Sequence, residues 1–440
     1  MRKRYALHLY LAGAVVARSG DEMSGPALML AGYAVAGSAA EASSLLAGIT
    51  ISAAVGGPVL GALLDRAERP GRLLAGALLL YGVGLAVLLA GLGRVPFTVT
   101  LLIAMVTGLL GPALSGGWTA QLPRVALGDD LPRANALDAM TFNVASLAGP
   151  ALAGGVAEAW GASSAVVASV VLIGLALPAA WVLPGRPTRP ARPARSSCSA
   201  RPVRARGGQA RSVITDLAAG MRTIASRPAL ARATVSSILS CVATGMLTAC
   251  IPLLGEHVLG GAGRGAMLLS CAAVSALVAN AALVRFPRTV APDTIMWAGA
   301  LLQAAGLILA ATGPLGASGS PVVLIAAVLM TGMGEGPQLT ALFAIRHRES
   351  PEHLRGQIFT TGASLKITGF ALGAVVAGPL VTWSLPGTLA LAASVSALAA
   401  PTFFTMKRPE RESSPPQCGG ELPGPCGQHR MKRSCTRRCS

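Results

Sequence analysis

Charged residues are scarce in this chain, and so are aromatic ones. Of its 440 residues, 12% are Asp, Glu, Lys or Arg and 4% are aromatic, whereas 52% are hydrophobic. A soluble globular domain carries about 25% charged residues, so this scarcity excludes an ordinary soluble protein. A chain of this composition is solvated mostly by lipid.

Three further absences limit its chemistry. The sequence contains no Gly-Lys-Ser or Gly-Lys-Thr phosphate loop, which argues against a pump with its own nucleotide-binding site. No nucleophile and base are placed for hydrolysis, so we expect that the protein is not an enzyme. The eight cysteines suggest no disulfide framework and match no zinc-binding spacing. We therefore predict neither a cofactor nor a metal site.

The sequence does contain twelve long apolar stretches separated by short polar loops. A helix needs about 20 apolar residues to cross ~30 Å of hydrocarbon, and backbone groups in lipid must be bonded internally. Barrel strands would instead alternate over about ten residues. We predict membrane-spanning helices over residues 6–36, 42–64, 73–92, 97–118, 136–159, 163–183, 229–252, 266–284, 294–312, 322–345, 358–383 and 387–404.

The basic residues lie almost entirely on one side of these spans. A net charge of +18 can suggest nucleic-acid binding, but its placement favours membrane orientation instead. With the N-terminus inside, only Arg94 and Arg264 fall in outer loops, as the positive-inside rule requires. The abundance of arginine, alanine and glycine suggests a high-GC bacterial genome. We predict a bacterial inner or plasma membrane protein with both termini cytoplasmic and no nucleic-acid partner.

A segment rich in proline and arginine divides the spans six and six. Residues 185–228 cannot build a core and are predicted to be a cytoplasmic linker, ending in a short amphipathic helix. Six-helix bundles are predicted at 1–184 and 229–405, followed by a disordered basic tail at 406–440. The predicted fold is an all-α polytopic membrane protein with twelve transmembrane helices in two pseudo-symmetric bundles, an architecture typical of transporters.

A weak repeat relates the two halves. Arg124 and Arg133 are nine residues apart in the predicted loop after the fourth span. Arg346 and Arg355 are likewise nine apart in the predicted loop after the tenth span. A glycine-rich helix follows each pair, and its matching positions are Gly149 and Gly154 in the first half and Gly373 and Gly378 in the second.

The loop between the second and third spans contains Gly61, Asp65, Arg66 and Arg69. This pattern resembles the loop signature of the major facilitator superfamily. The resemblance implies that the aspartate accepts hydrogen bonds from the start of the eleventh span and latches the cytoplasmic side in the outward-facing state. A carboxylate is stabilised at a helix N-terminus by free N–H groups and the helix dipole. The alternative is a solvated loop whose charges only orient the chain.

The fifth span contains Gly149, Pro150, Gly154 and Gly155. It resembles the Gly-Pro helix of superfamily exporters that work as antiporters, although three residues rather than two separate the proline from the glycine pair. Together with Arg-Ala-Asn-Ala-Leu at 133–137, it is similar to the prokaryotic drug, macrolide and siderophore exporters. The resemblance implies export. Close helix packing alone is the alternative, since glycine permits it.

Ionisable residues inside membrane spans are costly and usually functional. Arg18, Asp21 and Glu22 lie in the first span at spacings that place them on one helix face, where they can pair. Glu335 and Lys366 lie at similar depths in the tenth and eleventh spans and are expected to meet in a cavity. We predict that these five residues couple transport to protons or bind substrate. Structural ion pairs are the alternative.

These expectations describe a secondary active transporter that exports small amphipathic molecules, such as drugs, antibiotics or siderophores, by alternating access coupled to protons. The expected partners are the substrate, protons and the lipid bilayer, and the protein is expected to be a monomer. Two alternatives stay open. One is a carrier of the same fold that takes up a nutrient or metabolite, and the other is a non-transporting membrane sensor or scaffold.

Overall fold

A computed structural model of the chain describes residues 2–36, 39–126, 128–185, 213–260, 262–285, 290–313 and 320–405, and their regular secondary structure is helical. The helices of the first half are α1 (Arg2–Ala36), α2 (Ala39–Arg66), α3 (Pro70–Gly91), α4 (Phe97–Gly108), α5 (Gly116–Thr119), α6 (Leu131–Trp160) and α7 (Ala162–Trp181). After α8 (Val213–Ser226), the second half contains α9 (Pro228–Leu259), α10 (Ala262–Arg285), α11 (Pro292–Thr312), α12 (Pro321–Glu349), α13 (Arg355–Trp383), α14 (Leu385–Ala397) and α15 (Thr402–Thr405).

Proline marks the start of several long helices. It is the first residue of α3, α9, α11 and α12. A first-turn N–H has no partner within the helix, so proline loses nothing there and its fixed φ angle suits the helix. The apolar runs and these starting prolines together define most of the long helices.

Ten helical segments in the described ranges are long and apolar enough to cross a membrane. Two predicted spans are not among these ten. One is α1, which carries charged residues near its middle, and the other is α14, which has only 13 residues. Many large apolar side chains point outward, including Val106, Leu175 and Val278, which are 64%, 65% and 66% exposed. A continuous apolar exterior is what contact with lipid requires, so the all-α polytopic fold is confirmed.

The fourth predicted span is not one helix. α4 ends at Gly108, and short helical turns follow as far as Arg124. A cluster of glycine and proline explains the break, because Pro112 lacks an N–H and Gly116 lies against the backbone of α13. The twelfth predicted span is also shorter than expected, since α14 ends at Ala397.

Each half has its own buried apolar core. In the first half, α1 packs on α6 and α7, while α3 packs on α7; in the second, α11 packs on α12 and α14, while α9 packs on α13. The halves meet where α2 packs on α13 and α6 packs on α10. The domain limits stay a prediction, because 186–212 and 406–440, most of the predicted linker and tail, lie outside the described residues.

Candidate functional site

Asp65, at the end of α2, accepts two hydrogen bonds from the start of α13. The backbone N–H of Gly356 donates to Oδ1 at 2.7 Å and that of Gln357 to Oδ2 at 2.8 Å. First-turn N–H groups have no partner in their own helix, and the helix dipole favours a carboxylate beside them. Arg66 ends α2 and Arg69 precedes α3. The loop therefore ties the first half of the molecule to the second.

The contact continues along α2 away from this loop. A Cβ atom at Gly61 would lie 2.8 Å from the backbone nitrogen of Gln357, so a side chain there would force the two helices apart. Further along, the hydroxyl of Ser364 donates to the carbonyl oxygen of Ala53 at 2.6 Å. From Ala53 to Asp65, α2 rises about 18 Å. α2 and α13 therefore close one end of the interface, which we call the sealed end.

Helix α8 covers the same region. Ile224 packs with Leu230 and Ile358, and a Cβ at Gly220 would lie 2.8 Å from Nε2 of Gln357. The short helix predicted at the end of the linker is therefore present, and it packs beside the Asp65 contact.

Arg18 is buried in an ion pair, and its partner Asp138 was missed by sequence reasoning. Arg18 Nη1 lies 2.9 Å from Asp138 Oδ1, and the two side chains are 2% and 0% exposed. The guanidinium also donates to the hydroxyls of Thr119, at 2.8 Å, and Thr141. The hydroxyl of Tyr10 donates to Asp138 Oδ1 at 2.9 Å. The charges of this pair are thus neutralised inside the first half.

The predicted pairing of Arg18 with Asp21 and Glu22 is therefore wrong. Residues at helical spacing on one helix can pair, but Asp138 on α6 offers a carboxylate that is fully buried and supported by other hydroxyls. Asp138 is the third residue of the predicted fifth span. The sequence signal for Asp138 was a charged residue near the edge of an apolar run. The sequence did not show that its side chain points inward.

Asp21 and Glu22 lie on α1 beside the pair formed by Arg18. The hydroxyl of Tyr81 donates to Asp21 Oδ1 at 2.8 Å. The oxygen of that hydroxyl is also 3.2 Å from Ser24 Oγ. Asp21 is partly buried and Glu22 is exposed. Both line the same cavity, so these two carboxylates are accessible from it.

This main cavity has a volume of about 390 Å³ and lies between the two halves. Phe142, Phe343 and Phe359 line it, and we call these three residues the phenylalanine row. Consecutive ring centroids in the row are 5.7 and 6.0 Å apart. Phe359 lies two residues after Gln357, so this end of the row is close to the sealed end.

A smaller cavity of about 190 Å³ adjoins the main one. Glu335 and Lys366 both line it, and they form no ion pair with each other among the described residues. Lys366 and Glu22 belong to both cavities. The five predicted ionisable residues therefore all reach these connected spaces, with Arg18 already neutralised by Asp138.

Arg346 is a further cavity residue, and its predicted place in a loop is wrong. It lies inside α12, lines the main cavity and is 2% exposed. Its Nε and Nη2 atoms make no hydrogen bond within the described ranges. The guanidinium carbon lies 5.9 Å from the centroid of Phe359. α12 continues past its apolar run because basic residues in a last turn suit the helix dipole.

The Gly-Pro helix makes a close contact at one of its glycines. A Cβ at Gly149 would lie 2.6 Å from Cβ of Glu22, so glycine lets α6 approach α1 beside a cavity acid. α6 runs through Pro150 without interruption. Positions 154 and 155 have open space around them, so Gly154 and Gly155 play no part in this close approach.

Comparisons with known proteins agree with this architecture. A model of the Major Facilitator Superfamily matches residues 10–291. An uncharacterized MFS-type transporter of Sinorhizobium fredii is 28% identical over 322 residues, which are 72% of this chain and 73% of that protein.

Solved structures show the same fold at low sequence identity. The human organic anion transporter MFSD10 matches with a TM-score of 0.71 at 16% identity, covering 92% of this chain and all of that one. A bacterial homologue of the iron transporter ferroportin in an outward-facing state matches with a TM-score of 0.70 at 14% identity, covering 91% of this chain and 98% of that one. At such identity these likenesses establish the fold alone.

Proposed function

This chain belongs to the Major Facilitator Superfamily, and from that premise we propose that it is a proton-coupled exporter of small amphipathic molecules. The family indicates a secondary transporter rather than an enzyme. The observation that carries the finer proposal is the pair of carboxylates, Asp21 and Glu22, on the wall of a cavity between the two halves.

These carboxylates are suited to proton exchange because neither is held by a basic partner in an ion pair among the described residues. Arg18, their neighbour on α1, pairs with Asp138 instead. Asp21 has a neutral hydrogen-bond donor in Tyr81, and Glu22 is exposed to the cavity. An ionisable group inside a membrane span that faces a polar cavity is a candidate proton carrier. Glu335, in the adjoining cavity, is a third candidate.

Alternating access needs a contact that holds one end closed and then releases. The bonds from Gly356 and Gln357 to Asp65 fit this role, because they join the two halves through one side chain and two backbone N–H groups at the ends of α2 and α13. With both termini cytoplasmic, the sealed end is the cytoplasmic end. We infer that this structure represents the outward-facing state, and that breaking the Asp65 contact accompanies the change to the inward-facing state.

The contact between Gly149 and Glu22 supports export. It places the Gly-Pro helix against a candidate proton carrier, so a movement of α6 changes the surroundings of that carboxylate. In the proposed cycle, a proton enters from outside on the cavity acids and substrate leaves in exchange. The exporter is proposed to work as a monomer in a bacterial cell membrane.

Accumulation of fluorescent amphipathic dyes in an efflux-deficient bacterium tests this function. We expect the wild-type protein to lower dye accumulation, and a protonophore to abolish that effect. In proteoliposomes with an imposed pH gradient, we expect Glu22→Gln and Asp21→Asn to lose most of the gradient-driven flux. Glu158→Gln, which alters an exposed carboxylate near the end of α6, is the matched control and should keep it.

Other outcomes would point elsewhere. Export that persists with the protonophore would contradict coupling to protons. Higher dye accumulation in cells that make the protein would indicate uptake, and an unchanged flux in both cavity variants would remove Asp21 and Glu22 from the coupling mechanism.

A further inference from the structure

We propose that the main cavity binds an amphipathic carboxylate, and that Arg346 is the residue that holds the carboxylate group. This proposal rests on the main cavity being the transport site of the proposed exporter. It adds the chemical class of the substrate and the group that recognises it.

Arg346 carries a charge that has no counter-ion among the residues that the structure describes. It is 2% exposed, forms no ion pair among the described residues, and leaves Nε and Nη2 without hydrogen-bond partners. A buried charge without a partner is costly, and buried charges in proteins are normally paired. Because the same side chain lines the main cavity, a ligand that enters the cavity can supply the missing partner.

Arg18 provides an internal comparison. It too is 2% exposed and lies beside the phenylalanine row, 3.6 Å from the ring centroid of Phe142. However, its guanidinium is paired with Asp138 and bonded to two threonine hydroxyls. The fold therefore provides Arg18 with a buried carboxylate, although its Nε has no hydrogen-bond partner, whereas Arg346 has no ion pair among the described residues.

The residue of α13 that lies against the Arg346 guanidinium is Gly362, which has no side chain. Asp138 lies eleven residues before Gly149, and Gly362 lies eleven residues before Gly373. Counted back from these glycines, Gly362 matches Asp138, and a Cβ there would lie 2.7 Å from Nη1 of Arg346. A glycine at this position gives the guanidinium room and contributes no carboxylate.

The charges in the cavity are divided between its walls. Lys366 lies one helical turn after Gly362 on α13, so α12 and α13 present two cations to the main cavity, while Glu335 of α12 lines only the adjoining one. Asp21 and Glu22 belong to α1. A substrate carboxylate is attracted to the wall with Arg346 and Lys366, while the proposed proton carriers occupy another wall.

The remaining surface suits an apolar body of small size. The phenylalanine row, Leu339 and Ile367 line the space beside Arg346. A volume of about 390 Å³ falls in the range of about 300–1,000 Å³ that small-molecule sites occupy. A guanidinium binds a carboxylate through two parallel hydrogen bonds, which gives both strength and orientation.

The proposal is tested by equilibrium binding to the purified full-length protein in detergent, with no ion gradient. The probes are 1-naphthoate and 1-naphthamide, which share size and shape and differ in charge. We expect naphthoate to bind at least about tenfold more tightly, as a hydrogen bond to a charged group allows. Arg346→Gln should remove that preference without changing naphthamide binding, and Arg346→Lys should keep part of it.

Arg348→Gln is the matched control. This arginine lies two residues away on the same helix, is exposed and pairs with Glu349, so its loss should leave both affinities unchanged. Thermal unfolding without ligand checks for a structural role. Removal of an unpaired buried charge should leave the melting temperature of Arg346→Gln equal or higher.

Four results would overturn the proposal: no naphthoate binding, equal binding of the two probes, full naphthoate binding by Arg346→Gln, or a marked drop in its melting temperature. Because the binding measurement uses no gradient, it is independent of the efflux test. Gradient-driven dye export without naphthoate binding would support the exporter function and contradict the proposed carboxylate site. Naphthoate binding through Arg346 without gradient-driven export would support the carboxylate site and contradict the exporter function.

Discussion

The two halves of the molecule hold their buried polar groups in different ways. In the first half, Arg18 and Asp138 form a fully buried ion pair, with Tyr10 and Thr119 bonded to the carboxylate. In the second half, the ion pair between Arg232 and Asp293 is longer, at 3.8 Å, and its carboxylate side chain is 22% exposed, while two other contacts between helices are neutral. Ser240 donates to Gln338 at 2.8 Å and Ser396 donates to Gln303 at 2.9 Å.

This difference determines which charges face the cavity. Because Arg18 is neutralised internally, the first half presents the two carboxylates of Asp21 and Glu22. In the second half, Asp293 pairs with Arg232 away from the main cavity, and the cations that line this cavity are Arg346 and Lys366. The proposed proton carriers and the proposed carboxylate site thus lie on different walls of one cavity.

The largest effect is expected when the ion pair of the first half is broken. Asp138→Ala leaves Arg18 buried without a partner and should lower the free energy of unfolding by about 3–5 kcal/mol. The measurement is denaturant or thermal unfolding of the purified protein. Replacement of both partners, Arg18→Met with Asp138→Leu, should recover much of the loss because no unpaired charge remains.

Asp293→Ala is the control from the second half. Its carboxylate lies 3.8 Å from Arg232 and the side chain is 22% exposed, so water screens the pair and its loss should cost far less. Equal losses at positions 138 and 293 would contradict the distinction between the two halves.

Parts of this site could be predicted from sequence because their signals are local. The pattern from Gly61 to Asp65 lies within one helix end. The break of α4 after Gly108 was not predicted, although the glycine and proline residues that follow it offered a local signal. Asp138 and Arg346 were missed because each lies at the edge of an apolar run. Such a residue can lie in a loop or point into the protein. Packing against other helices decides between these, and the local sequence does not show that packing.

The second prediction concerns the contact that is present at Asp65. Asp65→Ala removes two hydrogen bonds to a charged group, each worth about 1.5–3 kcal/mol. It should therefore shift the population away from the sealed state. Spin labels at positions 72 and 348, in a variant without native cysteines, should then report an additional, longer distance between the halves.

Glu68→Ala is the matched control, because it removes an exposed carboxylate from the same loop. The same distance distribution in both variants, or no change in Asp65→Ala, would show that the contact does not hold the halves together.

The third prediction concerns the first glycine of each repeat, where the two halves should respond alike to a substitution. Gly149 lies against α1 and Gly373 lies against the backbone of α9, where a Cβ would be 2.8 Å from the carbonyl carbon of Val242. Gly149→Ala and Gly373→Ala should each destabilise the protein by about 1–3 kcal/mol, the usual cost of overpacking. Thermal unfolding measures both. A loss at only one position would show that the repeat does not extend to helix packing.

The smallest effects are expected at the second glycine of each repeat. Gly154 and Gly378 have open space where a Cβ would lie, so alanine adds a methyl group without a clash. Because glycine is less favourable than alanine inside a helix by about 0.8–1.0 kcal/mol, Gly154→Ala and Gly378→Ala should leave the melting temperature unchanged or slightly higher. The proteoliposome flux gives a second readout. If Gly154→Ala lowered flux at unchanged stability while Gly378→Ala did not, the glycine would be required in a different conformation, and the Gly-Pro helix of the first half would have a role in transport that its counterpart lacks.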